Sequence, residues 1–279
     1  MEQQKAVQRA IDYIEEHLTE PMSNADLARV AGYSDYHFLR VFKQIVQLTP
    51  ADYIRKRRIS EIVRRLMTEE CPIADLAFEY GFQSKENFCR AFKREHHILP
   101  TDFRAAQNSL KLYGKLELAQ PEMHLQPQII PLEAFRIVAF ASDEPSPPHF
   151  WNKYNAQGLS ARLTGGRVVE DYGVSLWNAR QNRLVYAIGV KESEAVGDVS
   201  GTIVLPVPRG LYAVFETPPA SAFDFVTQIH RTWDYIGRVW LPQSGYERVP
   251  GPEFETYVEQ SRTFREKISI PVKPREEQP

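Results

Sequence analysis

The chain has 279 residues, enough for two domains of ordinary size, with 34 lysines and arginines against 36 aspartates and glutamates. No run of about 18 apolar residues occurs, which argues against a membrane-spanning helix, and the polar start Met1-Glu2-Gln3-Gln4-Lys5 does not read as a secretion signal. The balance of charge also removes the simplest sign of a nucleic-acid binder. Even residues 1–107 hold 16 basic against 16 acidic side chains, so such a role must come from where charges sit. Cys71 and Cys89 predict two reduced thiols in a cytoplasmic protein, without a disulfide or a metal site.

Val7, Ala10, Ile11, Ile14 and Leu18 predict a leading amphipathic helix. A repeat follows. Leu27-Ala28-Arg29-Val30-Ala31-Gly32-Tyr33 returns 49 residues later as Leu76-Ala77-Phe78-Glu79-Tyr80-Gly81-Phe82. Beyond the glycine the offset is 50: Phe38, Arg40, Phe42 and Lys43 match Phe88, Arg90, Phe92 and Lys93. Each copy reads as helix, tight turn, helix. Ser23 is an N-cap with Asp26 three residues on, Gly32 and Gly81 stand where a helix ends in a left-handed residue, and Ser34 and Ser84 are expected to cap the second helices. Small Ala28 and Ala77 let the paired helices approach closely, the design of a helix-turn-helix. Between the copies, Ile59, Ile62, Val63, Leu66 and Met67 mark a helix over Ala51–Met67. It would span roughly 25 Å and, with the flanking units, place two reading helices near one DNA turn apart, about 34 Å.

Residues 108–123 read as a linker. From His124 onward, short β-branched and aromatic runs alternate with Gly, Pro and Asn/Asp breaks. Strands are predicted over Gln126–Ile130, Phe135–Ala141, Val174–Trp177, Leu184–Val190, Thr202–Pro206, Tyr212–Thr217, Glu253–Val258 and Lys267–Pro271. Helices are predicted over Phe150–Leu159 and Ala222–Leu241, the latter with Phe225, Ile229, Trp233 and Ile236 on one face. The tail, residues 273–279, is charged and predicted to be disordered. The expected architecture is an all-α tandem helix-turn-helix domain (1–107), a linker (108–123), and an α+β domain (124–272) of two β-α-β-β halves.

The first hundred residues resemble the DNA-binding domain of the AraC/XylS family. The resemblance is carried by Asp75-Leu76-Ala77 … Tyr80-Gly81-Phe82-Gln83-Ser84 … Phe88-Cys89-Arg90-Ala91-Phe92-Lys93, by Pro100 … Phe103-Arg104, and by the upstream copy. Residues 125–272 are similar to GyrI-like effector-binding domains through Gly210-Leu211-Tyr212-Ala213-Val214-Phe215, Trp240-Leu241-Pro242 … Ser244-Gly245-Tyr246 and Phe254-Glu255-Thr256-Tyr257. Together they give a Rob-like arrangement. The resemblance implies a transcription regulator with a small-molecule pocket between two related halves, many such pockets taking hydrophobic or cationic compounds. Double-stranded promoter DNA and a small-molecule effector are the expected partners, RNA polymerase a further candidate, and no cofactor is expected.

In a helix-turn-helix the exposed N-terminal side of the second helix meets base edges. In the first copy this selects Tyr36, His37, Arg40 and Lys43; Arg40 is the foremost, because a guanidinium takes guanine O6 and N7 together. The alternative for Arg40 is a surface ion pair. The second copy offers Ser84, Lys85, Glu86, Asn87 and Arg90, with Asn87 suited to adenine and Arg90 equally suited to helix packing or phosphate alone. Arg55-Lys56-Arg57-Arg58 and Arg64-Arg65 are the densest basic clusters, and Arg57 and Arg58 are expected at phosphates, although charge runs are more often solvated helix faces. His96-His97 lacks companion ligands for a metal. In the second domain, Glu255 with Tyr212, Trp240, Tyr257 and Trp177 would suit a cationic ligand through charge and aromatic faces, with Trp151 a weaker candidate. A different reading makes this domain a hydrolase with Glu255 as general base, or a ligand-free interaction module.

Overall fold

The repeat becomes two helix-turn-helix units joined by a long helix. The computed structural model describes residues 2–103, 110, 112–118, 123–144, 146–178, 183–221, 224–258 and 264–275, without the side chains of 177, 178 and 183. The chain divides into two units, one of residues 1–101 with 112–122, the other of 102–111 with 123–279. Among the described residues no helix is long and apolar enough to cross a membrane.

In the first unit, α1 (Glu2–Glu16) buries Val7, Ala10, Ile11 and Ile14. Ser23 and Asp26 close a reciprocal capping box that starts α2 (Asn24–Ala31), and Gly32 ends it at φ 77°, where a Cβ would be strained. Ser34 precedes α3 (Asp35–Val46) without a side-chain cap, and Phe38, Val41 and Phe42 turn inward. Thr49 caps α4 (Pro50–Thr68) through the Asp52 amide, and Pro50 sits in the first turn, where its missing N–H costs nothing. Ile59, Ile62 and Val63 of the expected stripe are buried, whereas Met67 is exposed. Then α5 (Ile73–Glu79) and α6 (Lys85–His96) repeat the first pair, with Ser84 capping α6 at the Asn87 amide and Phe88, Ala91 and Phe92 inward.

The segment expected as a linker is no free tether where it is described. Residues 112–118 run extended along α1 and α4, pinned by side chains that satisfy their backbone. Ser60 Oγ accepts from Tyr113 N at 2.7 Å, and Tyr53 Oη accepts from Leu116 N at 3.1 Å. The Gln8 amide donates to Leu116 O at 3.1 Å and accepts from Leu118 N at 2.7 Å.

The second unit is a wholly antiparallel sheet with helices. Its strands are β1 (Gln128–Leu132), β2 (Phe135–Ala141), β3 (Asp171–Asn178), β4 (Arg183–Lys191), β5 (Ile203–Val207), β6 (Gly210–Glu216), β7 (Tyr246–Arg248), β8 (Glu253–Tyr257) and β9 (Lys267–Pro274). The order is β1-β6-β9-β8-β3-β4-β2-β5, with β7 also on β9. Helices α7 (Pro147–Ala156) and α8 (Leu159–Thr164) lie between β2 and β3, and α9 (Phe225–Tyr235) continues as a π-helical turn (Ile236–Trp240) between β6 and β7. The two β-α-β-β halves meet at β3 and β8, whose register sets Gly173 opposite Glu255. Each half's leading strand is exchanged: β1 pairs with β6 of the second half and β5 with β2 of the first. Three expectations need correction. The predicted helix over Phe150–Leu159 is two helices parted by Gly158 at φ 62°, Tyr246–Arg248 forms an unforeseen short strand, and the tail from Lys273 begins inside β9. Strand pairing carries that strand to Pro274, and Arg275 donates to Leu241 O and Tyr246 O; residues 276–279 lie outside the described residues.

At the start of β3, Asp171 is buried and accepts from Tyr154 Oη at 2.9 Å, and burial pushes its carboxyl up to about 6. An acid with a raised folded pKa contributes stability that is full below its unfolded value, near 3.8, and is lost as pH rises through the folded one. From this group alone the second unit is expected to lose about 2 kcal/mol between pH 4 and pH 7. Denaturant titration followed by tryptophan fluorescence checks it, since all four tryptophans lie in residues 151–240. Asp171→Asn should flatten the slope, and an unchanged slope would contradict the assignment.

Candidate functional site

The inward packing of Phe38, Val41 and Phe42 obliges α3 to turn the intervening residues outward. Tyr36 is 79% exposed, and Arg40 and Lys43 stand beside it on the surface. His37 is half-buried, with its ring edge-on to Tyr33 and Nδ1 3.5 Å from the Arg40 guanidinium. On α6, Lys85, Glu86 and Arg90 are exposed, while Ser84 and Asn87 are half-buried because the serine hydroxyl caps the helix. Glu86's own backbone amide, followed by the Ser84 hydroxyl, holds the Glu86 carboxyl below its ordinary value, fixing a negative charge at the tip of the second reading helix. Arg40, Lys43, Lys85 and Arg90 close no ion pair among the described residues, which leaves their charges available.

The basic run on α4 behaves otherwise. Arg57, expected at a phosphate, is 5% exposed. Its guanidinium forks onto Glu15 at 2.7 and 2.8 Å, reaches Glu61 at 2.9 Å and also donates to Tyr113 O. Tyr53 Oη adds a hydrogen bond to Glu15 at 2.8 Å. Arg58 is corrected too: its guanidinium donates to Leu18 O at 2.7 Å and Glu20 O at 2.6 Å, and it packs against Gly81, where a Cβ would come within 2.9 Å of it. Lys56 pairs with Glu95, Arg55 with Asp52 and Arg65 with Glu69 and Glu79. Six acidic residues, Glu15, Asp52, Glu61, Glu69, Glu79 and Glu95, pair with the basic residues of α4, whereas Arg40, Lys43, Lys85 and Arg90 on the recognition helices close no such pair among the described residues.

The second unit holds a cavity of about 180 Å³ at the junction of its halves, walled by α7, α9 and strands β3, β4 and β8. Gly173 lets two lining rings close in on β3; a Cβ there would lie 2.3 Å from Tyr186 Oη and 3.0 Å from Trp151. Glu255 reaches in from β8. It accepts from Trp233 Nε1 at 2.5 Å and from Tyr186 Oη at 3.2 Å, and Tyr186 in turn accepts from Trp151 Nε1 at 2.7 Å. Glu266, just before β9, lines the same cavity beside Glu255, and burial raises both carboxyls. Phe225, Ile229, Pro147, Pro148 and Tyr257 supply apolar wall.

Of the expected ligand residues, Glu255, Tyr257 and the weaker candidate Trp151 line this cavity. Tyr212 and Trp240 do not. Tyr212 is buried in a core cluster with Val174 and Phe254, because alternation along β6 aims it into the sheet packing. Trp240, carried by the π turn, packs on Phe215 and Tyr246. The Trp177 side chain lies outside the described residues. Trp233, Tyr186 and Glu266 were missed; Trp233 was visible on the apolar stripe of α9, but its indole N–H and the carboxyl it meets belong to different elements.

Two family models match the chain: Helix-turn-helix domain over residues 27–106 and GyrI-like small molecule binding domain over residues 125–273. The chain belongs to the AraC family of transcription regulators and carries a GyrI-like domain. This AraC-family chain is 36% identical over 104 residues to the regulatory protein SoxS of Escherichia coli (strain K12), covering 37% of the chain and 97% of SoxS. It is 41% identical over 101 residues to the uncharacterized HTH-type transcriptional regulator YbfP of Bacillus subtilis (strain 168), covering 36% and 34% respectively. It is 36% identical over 104 residues to the transcriptional regulator Rob of Salmonella typhimurium, covering 37% and 36%. The chain thus matches about a third of the length of YbfP and Rob, and nearly all of SoxS.

Proposed function

We propose that the chain binds an asymmetric promoter site through α3 and α6 together, and that its GyrI-like domain senses a small organic cation with an apolar body. The observation that carries the ligand class is Glu255, a half-buried carboxylate hydrogen-bonded by Trp233 and Tyr186 in a cavity whose lining, among the described residues, includes no lysine or arginine. A cation there gains charge pairing and aromatic faces in a dry site. Recognition residues that differ between α3 and α6 suit a non-palindromic site, one helix per half-site.

The experiment is selection of bound sequences from random double-stranded DNA by the full chain, with and without benzyltrimethylammonium. One non-palindromic consensus is expected, with affinity falling as salt rises. Absence of any consensus would sink the DNA reading; an uncharged isostere, neopentylbenzene, binding as tightly as the ammonium would sink the cation reading. Recovery of the compound unchanged separates sensing from turnover. Arg40→Ala is expected to relax preference at one or two positions, by about 1–3 kcal/mol per base pair, read from the same selection. A uniform loss across all sequences would instead mark Arg40 as a phosphate contact.

A further inference from the structure

Two carboxyl groups hydrogen-bond each other only when one keeps its proton, because two ionised carboxylates at that separation repel. Glu255 on β8 and Glu266 at the entry to the neighbouring β9 line one cavity, buried close enough to interact, and the groups around them decide which one is the acid. Trp233 Nε1–H must donate, and it donates to Glu255. Tyr186 already accepts from Trp151, so its own hydroxyl proton goes to Glu255 as well. With Glu266 as third donor, Glu255 is the ionised member. Glu266 is 4% exposed, and its Oε1 meets no hydrogen-bond donor among the described residues, an environment that suits a neutral acid and penalises a charge. Its backbone is fixed from both sides by Thr217, which accepts from Glu266 N at 2.9 Å and donates its own amide to Glu266 O at 2.8 Å. The other titratable groups lining the cavity are Tyr186 from β4, Tyr257 from β8 and His230 from α9.

We infer that Glu266 sets the charge of the cavity: as a neutral acid it donates its hydroxyl to Glu255 and leaves one negative charge for one positive charge on the ligand. The inference rests on the cation reading of the same cavity. A singly charged ligand enters without a change in protonation. A doubly charged one requires Glu266 to give its proton to water, one proton leaving as the second positive charge is met.

Two measurements on the full chain test this. Infrared difference spectra of wild type against Glu266→Gln, at neutral pH and without ligand, should show the carbonyl stretch of a protonated carboxylic acid in the wild type and its loss in the variant. A wild type with only ionised carboxylates there overturns the inference. The second needs no variant. Calorimetric titration in two buffers of unlike ionisation heat compares benzyltrimethylammonium with its two-headed analogue, 1,4-bis(trimethylammoniomethyl)benzene. The single charge should bind with no proton release. The double charge should release about one proton and bind about tenfold more tightly for each unit rise in pH. Equal affinity for the two without proton release also overturns it. If neither cation binds while the acid stretch is present, the ligand class fails and the neutral Glu266 stands.

Discussion

Arg57→Ala is expected to destabilise the helical unit by about 3–5 kcal/mol, the cost of leaving buried charge uncompensated. The guanidinium is the common partner of Glu15 and Glu61, and both carboxylates are themselves largely covered. Removing it strands Glu15 with Tyr53 as its remaining donor, leaves Glu61 to Arg64 alone, and also releases Tyr113 O. Arg57→Lys should recover part of the loss, because an ammonium supplies the charge but not the planar fork that meets Glu15 with two nitrogens. Urea unfolding followed by far-ultraviolet circular dichroism reads the effect. The salt dependence of DNA binding separates this from a phosphate contact. Under conditions where Arg57→Ala is still folded, its slope should equal that of the wild type, whereas Lys85→Ala should lower the slope by about one. A lowered slope for Arg57→Ala with little loss of stability would return Arg57 to the DNA face.

Glu255→Gln should move affinity and stability in opposite directions. Affinity for benzyltrimethylammonium is expected to fall by about 2–5 kcal/mol, the range for removing one member of a desolvated charge pair. Stability of the second unit should rise. Burial raises the Glu255 carboxyl, so ionisation in the folded state is resisted and stability drains away as pH climbs past the ordinary glutamate value. Glutamine carries no such charge, and its gain should grow from pH 5 to pH 8. A purely structural glutamate would lose stability and affinity together. Paired unfolding and binding titrations at both pH values distinguish the two.

What the sequence disclosed follows from how local each feature is. Caps, turn glycines and apolar stripes act within a few residues, so Ser23, Gly32, Gly81 and the faces of α3 and α6 were legible, and their doubling gave the tandem unit. The fate of Arg57 was not legible, because its partner Glu15 lies 42 residues away and burial follows from how α1 packs on α4. A run of four basic residues on a helix necessarily points around the cylinder, and here each found a different neighbour. In the second unit, strand alternation was readable, yet whether β6 borders the cavity at all depends on the sheet order, and Tyr212 was misplaced for that reason. Glu266 offered no signal at all: it matters only because β9 lies against β8.

The exchange of leading strands has a consequence for how the second unit assembles. Because β1 completes the sheet beside β6 and β5 completes it beside β2, neither half contains all the strands that cover its own edge. An isolated half, made as a fragment, would leave one strand without its partner and another edge open to the next molecule. The contacts that seal both edges join distant parts of the chain, so their closure entropy is met late and together. The domain should therefore fold slowly for its size and melt in one step, and the cavity at its centre would exist only once both exchanges are complete.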